Sequence, residues 1–342
     1  MLRSLKLMCG APLLIACAMT AAAQTADQTT VRTSVNPLVY SNLPVFLASD
    51  KGYFAGEKLN MVINRYSGSS TTQMPLVARG DLDIVPTVGG PALFNARNQG
   101  FDIKLLGVQD AAKEGWNDAV WVIVRKDLWD SGSVRSVADL KGRSVDGSSE
   151  GSPANVVMRT ALSKAGLSMS DVKFSARLGT PPDWLAALRN NAVDALTAVE
   201  PIASQLVKQG LGVKLISTQQ VLDWYPSAYY TTSSEYLSKN RPAAVAFMRA
   251  ILRAQREVVD GGPRWNPDTL KTLATWSKMS EDDIKAIPSP PYYGRYGEIP
   301  LDRMTAEQNF WMSLGLVKQR VDPESLIDTS VLAEARTSLG IK

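Results

Sequence analysis

Five short stretches of this chain put hydroxyl, amide and glycine residues immediately ahead of a proline or a helix-start pattern. They are Asn36-Pro-Leu-Val-Tyr-Ser-Asn-Leu-Pro44, Ser67-Gly-Ser-Ser-Thr-Thr-Gln73, Thr87-Val-Gly-Gly-Pro91, Gly147-Ser-Ser-Glu-Gly-Ser-Pro153 and Gly179-Thr-Pro-Pro-Asp183. A Ser, Thr or Asn oxygen in this position caps a first-turn N–H, and proline fits there because its missing N–H is not needed. Where strands feed helices, such termini line the crevice at the carboxyl ends of the strands, and each favours a negative charge by roughly 0.3–1 kcal/mol. This is chemistry for gripping a small molecule, not for breaking it. One junction alone is ordinary capping. Three in the first part of the chain and two in the second point to a cleft with two walls.

The candidate ligand-binding residues follow from these junctions. Tyr40, Asn42, Ser69, Ser70, Thr71, Thr87, Gly89 and Gly90 belong to the first set, with Ser41 or Asn42 as the cap of the first helix. Ser149, Ser152 and Thr180 belong to the second, Ser152 as a cap and Thr180 with Asp183 as a capping box. Pro75 requires its helix to begin near Thr71 or Thr72. Glu150 and Glu200 stand at junctions, where each complements the helix dipole or accepts from an amine. Trp116, Trp224 and Tyr225 flank the inferred cleft, for stacking on a flat ligand or for packing. None of the five loops holds Lys or Arg; Arg65 and Arg177 end strands just before junctions and are within reach or solvated.

Composition narrows the alternatives. The 342 residues include no His and two Cys. Ser-His-Asp and Cys-His catalysis, His-ligated zinc and a His general base are therefore excluded. Arg3 and Lys6, the apolar stretch from Leu7 to Thr20 and Ala21-Ala22-Ala23 read as an export signal covering residues 1–23. Cys9 and Cys17 both lie inside it, so the expected mature chain has no thiol and no disulfide, and no metal or other cofactor is expected. Leu14-Ile15-Ala16-Cys17 also fits a lipoprotein signal that would acylate Cys17. Removing Arg3 and Lys6 leaves 35 basic against 33 acidic side chains, a net charge of +2. That balance argues against nucleic acid as a partner.

The elements that must carry the junctions alternate. Strands at Thr30–Val35, Leu59–Arg65, Asp83–Thr87 and Ile103–Val108 are separated by helices ending at Gly52, Gly80 and Gly100, and the rhythm restarts after Trp121-Val-Ile-Val-Arg125. Strict alternation predicts α/β lobes, each a doubly wound, mostly parallel sheet. Leu76–Ile84 and Leu185–Ala195 echo one another, which fits two lobes of similar build. From Arg241 the pattern is helical, a tail that must pack on an existing lobe, and the aromatics of Tyr292-Tyr-Gly-Arg-Tyr296 read as tail packing in a loop.

Lys51-Gly-Tyr-Phe54 with Leu59-Asn-Met-Val62, Ala78-Arg-Gly-Asp-Leu-Asp-Ile84, Gly100-Phe-Asp-Ile-Lys104, Asp139-Leu-Lys-Gly-Arg143, and Val193-Asp-Ala195 with Glu200-Pro201 occur in order. This set resembles the nitrate, sulfonate and taurine branch of ABC-transporter periplasmic binding proteins, which also includes binders of thiamine pyrimidine precursors. The resemblance covers residues 30 to 235. It implies a two-lobed periplasmic binding protein fold of type II with two crossover strands, near Val120–Arg125 and Ser227–Thr231. Lobe one would span 30–124 and 227–342, its second part mainly helical, and lobe two 125–226. It further implies a monomer in the periplasm that closes on a small organic solute and hands it to an ABC permease in the inner membrane. The first-choice solute carries a sulfonate or carboxylate; the alternative is an uncharged or cationic heteroaromatic. Enzymes on this fold include a thiamine-pyrimidine synthase, which would require histidine, and a sulfinate desulfinase, which would require cysteine. Neither residue is available here, so no catalytic role is expected. A sensing ectodomain is a third reading, disfavoured by the absence of a membrane-spanning run.

Overall fold

A computed structural model describes residues 28–67, 70–150, 152–222 and 226–341. The first part of the chain runs β1 (Thr29–Val35), α1 (Leu43–Asp50), α2 (Tyr53–Gly56), β2 (Leu59–Arg65), α3 (Met74–Ala78), β3 (Val85–Val88), α4 (Pro91–Asn98) and β4 (Lys104–Ala111). The second runs β5 (Val120–Arg125), α5 (Lys126–Asp130), β6 (Ser144–Asp146), α6 (Pro153–Lys164), β7 (Lys173–Ser175), α7 (Pro181–Arg189), β8 (Ala195–Val199), α8 (Ile202–Lys208), β9 (Gly212–Ser217) and α9 (Thr218–Val221). The chain returns through β10 (Pro226–Thr232) to α10 (Ser234–Asp260), α11 (Pro267–Ser277), α12 (Glu281–Lys285), β11 (Tyr292–Tyr293), α13 (Leu301–Ser313), α14 (Pro323–Leu326) and α15 (Thr329–Ser338).

The strands form two lobes. In the first, β1 and β2 pair in parallel, and a four-stranded sheet has the order β11-β4-β10-β3; the second lobe is a five-stranded sheet ordered β7-β6-β8-β5-β9. The β-α-β units give the parallel pairs β1-β2, β6-β7 and β6-β8, but β10 is antiparallel to both β3 and β4, and β5 to both β8 and β9. The sheets are therefore mixed. Each strand that receives the chain from the other lobe enters its sheet from the opposite end. β5 belongs wholly to the second sheet and β10 wholly to the first.

Alternation along the strands sends side chains to both faces. On β5, Val122 and Val124 pack toward α6 while Ile123 packs with α7 and α8, so the second sheet is covered on both sides. In the first lobe α1, α10 and α15 share one core with Leu106 of β4, and α4 and α13 share another with Leu105 and Val108. The helical tail thus closes the first lobe. The tyrosines of the tail form β11 at the sheet edge, and the fully buried Tyr293 donates its hydroxyl to Tyr40 O at 2.7 Å. Prolines mark the starts of α1, α3, α4, α6 and α7. Among the described residues no helix is long and apolar enough to cross a membrane. Residues 1–23, with the cleavage site and Cys17, lie outside them.

Candidate functional site

A cavity of about 140 Å³ lies between the lobes, bounded by the segments after β1 and β2 and by β3 itself on one side and by the segments after β6, β7 and β8 on the other. The first-lobe wall is tied together from within. Gln109, at the end of β4, donates to Ser41 O at 2.6 Å and to Asn42 Oδ1 at 2.9 Å, and Asn42 Nδ2 donates to Asn36 O at 2.9 Å. Asn42 stands at the cap position of α1, yet its side chain caps nothing, because this network claims both ends of the amide. Ser41 Oγ donates to Asp110 Oδ2 at 2.8 Å. Ser70 Oγ accepts from Val88 N at 2.9 Å, and the Thr87 and Thr231 hydroxyls share a hydrogen bond of 2.5 Å. The Tyr40 hydroxyl, though buried, has no partner.

The second-lobe wall is organised by a carboxylate beneath it. Asp146 accepts from Ser148 N at 2.8 Å, Ser175 Oγ at 2.6 Å, Arg177 N at 3.1 Å and Leu178 N at 3.3 Å, so one side chain fixes both junction loops. Ser148 takes a left-handed conformation, φ 63°, which turns the loop toward the cavity. Ser152 caps α6 by accepting from Asn155 N at 3.2 Å. The Ser148 and Ser149 hydroxyls bond no other described residue. Gly179 lies so close to Ser149 that a Cβ there would stand 2.6 Å from its Oγ. Trp184, its indole N–H donated to Leu178 O at 3.1 Å, supplies an apolar face.

Glu200 is the carboxylate of the lining among the described residues, and its partners lie within the second lobe. Only 2% exposed, it accepts from Ser204 N at 3.0 Å, Ser204 Oγ at 2.9 Å and Lys214 Nζ at 2.6 Å. Lys214 in turn sits 4.5 Å from the Trp121 ring centre. Among the described residues no Lys or Arg lines the cavity. Arg65 lies over Trp276 and donates to its carbonyl, Arg177 is exposed, and Glu150 is held by Arg159 at 3.0 Å. The helix starts offer few free amides, because Pro44, Pro91, Pro153, Pro181 and Pro182 carry no N–H and Asp183 N bonds Thr180 O. Hydroxyls, not helix amides, are therefore the principal donors.

Of the residues expected from the sequence, Tyr40, Asn42, Ser70, Thr87, Ser149, Ser152 and Glu200 line the cavity. Thr71, Gly89, Gly90, Trp116 and Thr180 do not, and Ser69 and Trp224 lie outside the described residues, as does Tyr225. Gly89 serves close packing: its N–H bonds Ser227 O at 2.8 Å and a Cβ would meet the Tyr229 ring at 2.9 Å. Gly90 supplies the positive φ of 81° that turns the chain into α4. Thr71 falls in a 3-10 turn, Ser70–Gln73, that precedes α3, so the α-helix begins at Met74, later than Pro75 alone implied. Trp116 packs edge-on against Tyr292, 5.5 Å between ring centres, at a groove on the far side of the interlobe connection. Thr180 donates its hydroxyl to the Asp183 carboxylate at 2.6 Å and accepts no helix N–H, so the expected capping box does not form and the two side chains bond each other instead.

Gln109, Tyr66, Ser148, Trp184 and Ser227 line the cavity without having been singled out. Polar Gln109 and Asp110 ending an otherwise apolar strand were a readable signal, as was Trp184 one turn into α7. Tyr66 and Ser227 carried none.

One ion pair joins the lobes, Lys208 of α8 to Asp283 of α12 at 2.6 Å, and Asn117 N of the interlobe connection donates to Ser289 Oγ at 3.0 Å. Two α/β lobes meeting around a mostly apolar hollow that carries a few polar groups define a ligand-binding class of protein. Residues 24–276 match the model of the NMT1-like family, and the chain belongs to that family. It is similar to "Putative binding protein YtlA" of Bacillus subtilis (strain 168), 24% identical over 233 residues, 67% of this chain and 66% of that protein. It is also similar to "Putative aliphatic sulfonates-binding protein" of Escherichia coli (strain K12), 29% identical over 184 residues, 52% of this chain and 53% of that one. The alignments thus span about half to two thirds of these relatives. Among solved structures, the alkanesulfonate-binding protein SsuA from Xanthomonas axonopodis pv. citri, bound to MOPS, shares the fold with a TM-score of 0.72. At 19% identity that match covers 89% of this chain and all of the other.

Proposed function

We propose that this chain is the periplasmic solute-binding component of an ABC importer, acting as a monomer that closes its two lobes on a small organic oxyanion and presents it to a permease. The carrying observation is the interlobe cavity, where hydroxyls unspent on one wall face a prearranged polar wall on the other, with Trp184 and Tyr40 as apolar surface. A sulfonate or carboxylate fits this mixture. With no cation in the lining, its charge would be met by hydroxyl donors, each charge-assisted bond contributing roughly 1.5–3 kcal/mol. Several are needed to offset the several kcal/mol that desolvating an anion costs. The interlobe connection at residues 112–119 serves as a hinge. The reading is binding without turnover, as the names of the relatives, both binding proteins, support. Nucleic acid is no partner on this reading, and export through residues 1–23 accounts for the location.

A second reading, an uncharged or cationic heteroaromatic, is favoured by one observation: among the described residues the lining holds the carboxylate Glu200 and no Lys or Arg. Thermal unfolding of the purified chain with alkanesulfonates, carboxylates and aminopyrimidines separates the two, because a ligand that binds only the folded state raises the melting temperature. Sulfonates or carboxylates are expected to raise it. A shift by aminopyrimidines alone selects the second reading, and the absence of any shift, with no small molecule released on denaturation, defeats both.

A further inference from the structure

Behind the first-lobe wall lies a buried carboxyl. Asp110 is completely buried, its Oδ2 accepts from Ser41 Oγ at 2.8 Å, and its Oδ1 has no partner. An ionised carboxylate has about four acceptor positions to satisfy. The groups around it are neutral. Tyr230 from β10 and Tyr293 from β11 couple to it electrostatically, Tyr40 stands beside Tyr293, and Gln255 of α10 bonds the neighbouring carbonyls of Val108 and Gln109. No Lys or Arg pairs with Asp110. The Tyr230 hydroxyl and Gln255 Oε1 are likewise without partners, so the layer has unfilled hydrogen-bonding capacity and no countercharge. Burial pushes the Asp110 carboxyl up to about 7, with the Ser41 bond and the residue's own backbone N–H pulling the other way. Ser41 itself lines the cavity.

We infer that Asp110 is a positioning residue that sets the hydrogen-bond polarity of Ser41 at the cavity wall. As a carboxylate it takes the Ser41 proton into its own hydrogen bond, and Ser41 offers the cavity only lone pairs. As a carboxylic acid it donates to Ser41 Oγ, and the Ser41 O–H turns to the cavity as a donor. The inference rests on the oxyanion reading of the cleft. An oxyanion selects the protonated form, so binding takes up one proton from solvent onto Asp110, and affinity falls as pH rises through about 7.

Titration calorimetry with butane-1-sulfonate, which keeps its charge throughout, tests this. Wild-type affinity is expected to fall by up to about tenfold per pH unit above the transition, with one proton absorbed per solute in buffers of different ionisation enthalpy. Asp110→Asn, whose Nδ2 donates permanently to Ser41, is expected to bind at the wild-type low-pH level at every pH. Ser41→Ala is expected to bind weakly with no pH slope. A purely structural Asp110 would leave the slope in place, so a slope surviving in Asp110→Asn, or a wild-type profile that is flat, overturns the inference. Should butane-1-sulfonate fail to bind wild type at any pH, the oxyanion reading fails. The infrared carbonyl band of the unliganded protein then decides the proton site. A carboxylic-acid band that titrates in the wild type and is missing from Asp110→Asn supports it; no such band overturns it.

Discussion

The two walls of the cavity are built from the same vocabulary and spend it differently. In the first lobe, Asn36, Asn42, Gln109 and Ser70 are bonded to one another or to the backbone, Ser41 to Asp110 and Thr87 to Thr231. In the second, the loops are held from behind by Asp146, and the Ser148 and Ser149 hydroxyls are left unspent. A wall whose groups already bond each other keeps its shape whether or not a solute is present. A wall with free hydroxyl rotors adjusts to what arrives. The first lobe is a template and the second a set of adjustable donors.

Substitutions can break this contrast, beginning with the most damaging. Glu200→Leu strands the Lys214 ammonium beside a buried carboxylate site, and unfolding in urea should show a loss of about 3 kcal/mol or more. An unchanged midpoint would mean the pair is solvated and the second wall less ordered than described. Gln109→Leu removes the donor to Ser41 O and Asn42 Oδ1; leaving both buried acceptors unmet should cost about 2–4 kcal/mol, together with weaker binding. Ser148→Ala with Ser149→Ala should do the reverse, lowering affinity for a bound solute by roughly tenfold while the melting temperature stays put. If the pair instead destabilises the protein, the second wall is prearranged too and the contrast fails. Lys208→Ala, across the lobe boundary, should change stability by less than about 1 kcal/mol, and less in high salt.

A pH series sharpens the same contrast. Asp110 has its folded pKa raised from the ordinary 3.8 to about 7 by burial, so the folded protein holds that proton more tightly than the unfolded chain. Stability is then greatest below the ordinary value and is lost as pH rises through about 7. Asp110→Asn should therefore melt above wild type at alkaline pH, with the gap closing on acidification. An equal gap at every pH would locate the effect elsewhere.

The lobes were legible because their signals are local. Proline at Pro44, Pro91, Pro153 and Pro181 marks helix starts by the rigidity of one ring, and Gly100 marks an end by a φ of 85°. The cavity was legible only in part. Whether a junction hydroxyl caps its helix, as Ser152 does, or faces the hollow, as Ser149 does, depends on neighbours distant in sequence such as Gly179. The same holds for Asn42, which Gln109 draws away from α1, and for Glu200, whose partner Lys214 lies two elements away. The prolines also cut both ways: the residue that announces a helix start removes the amide a ligand would have used.

The pairing of Ala111 with Pro226 places side by side the points where the chain leaves the first lobe and returns to it. Everything between is a self-contained parcel, whereas β4 cannot gain its partner β10 until more than a hundred intervening residues have been gathered in. The parcel can therefore consolidate early, and the first lobe, with its bonded wall, is finished last. A linker bridging those two neighbouring ends in place of the second lobe should accordingly leave the first still able to assemble, a half-vessel with its rigid face intact and nothing to close over it.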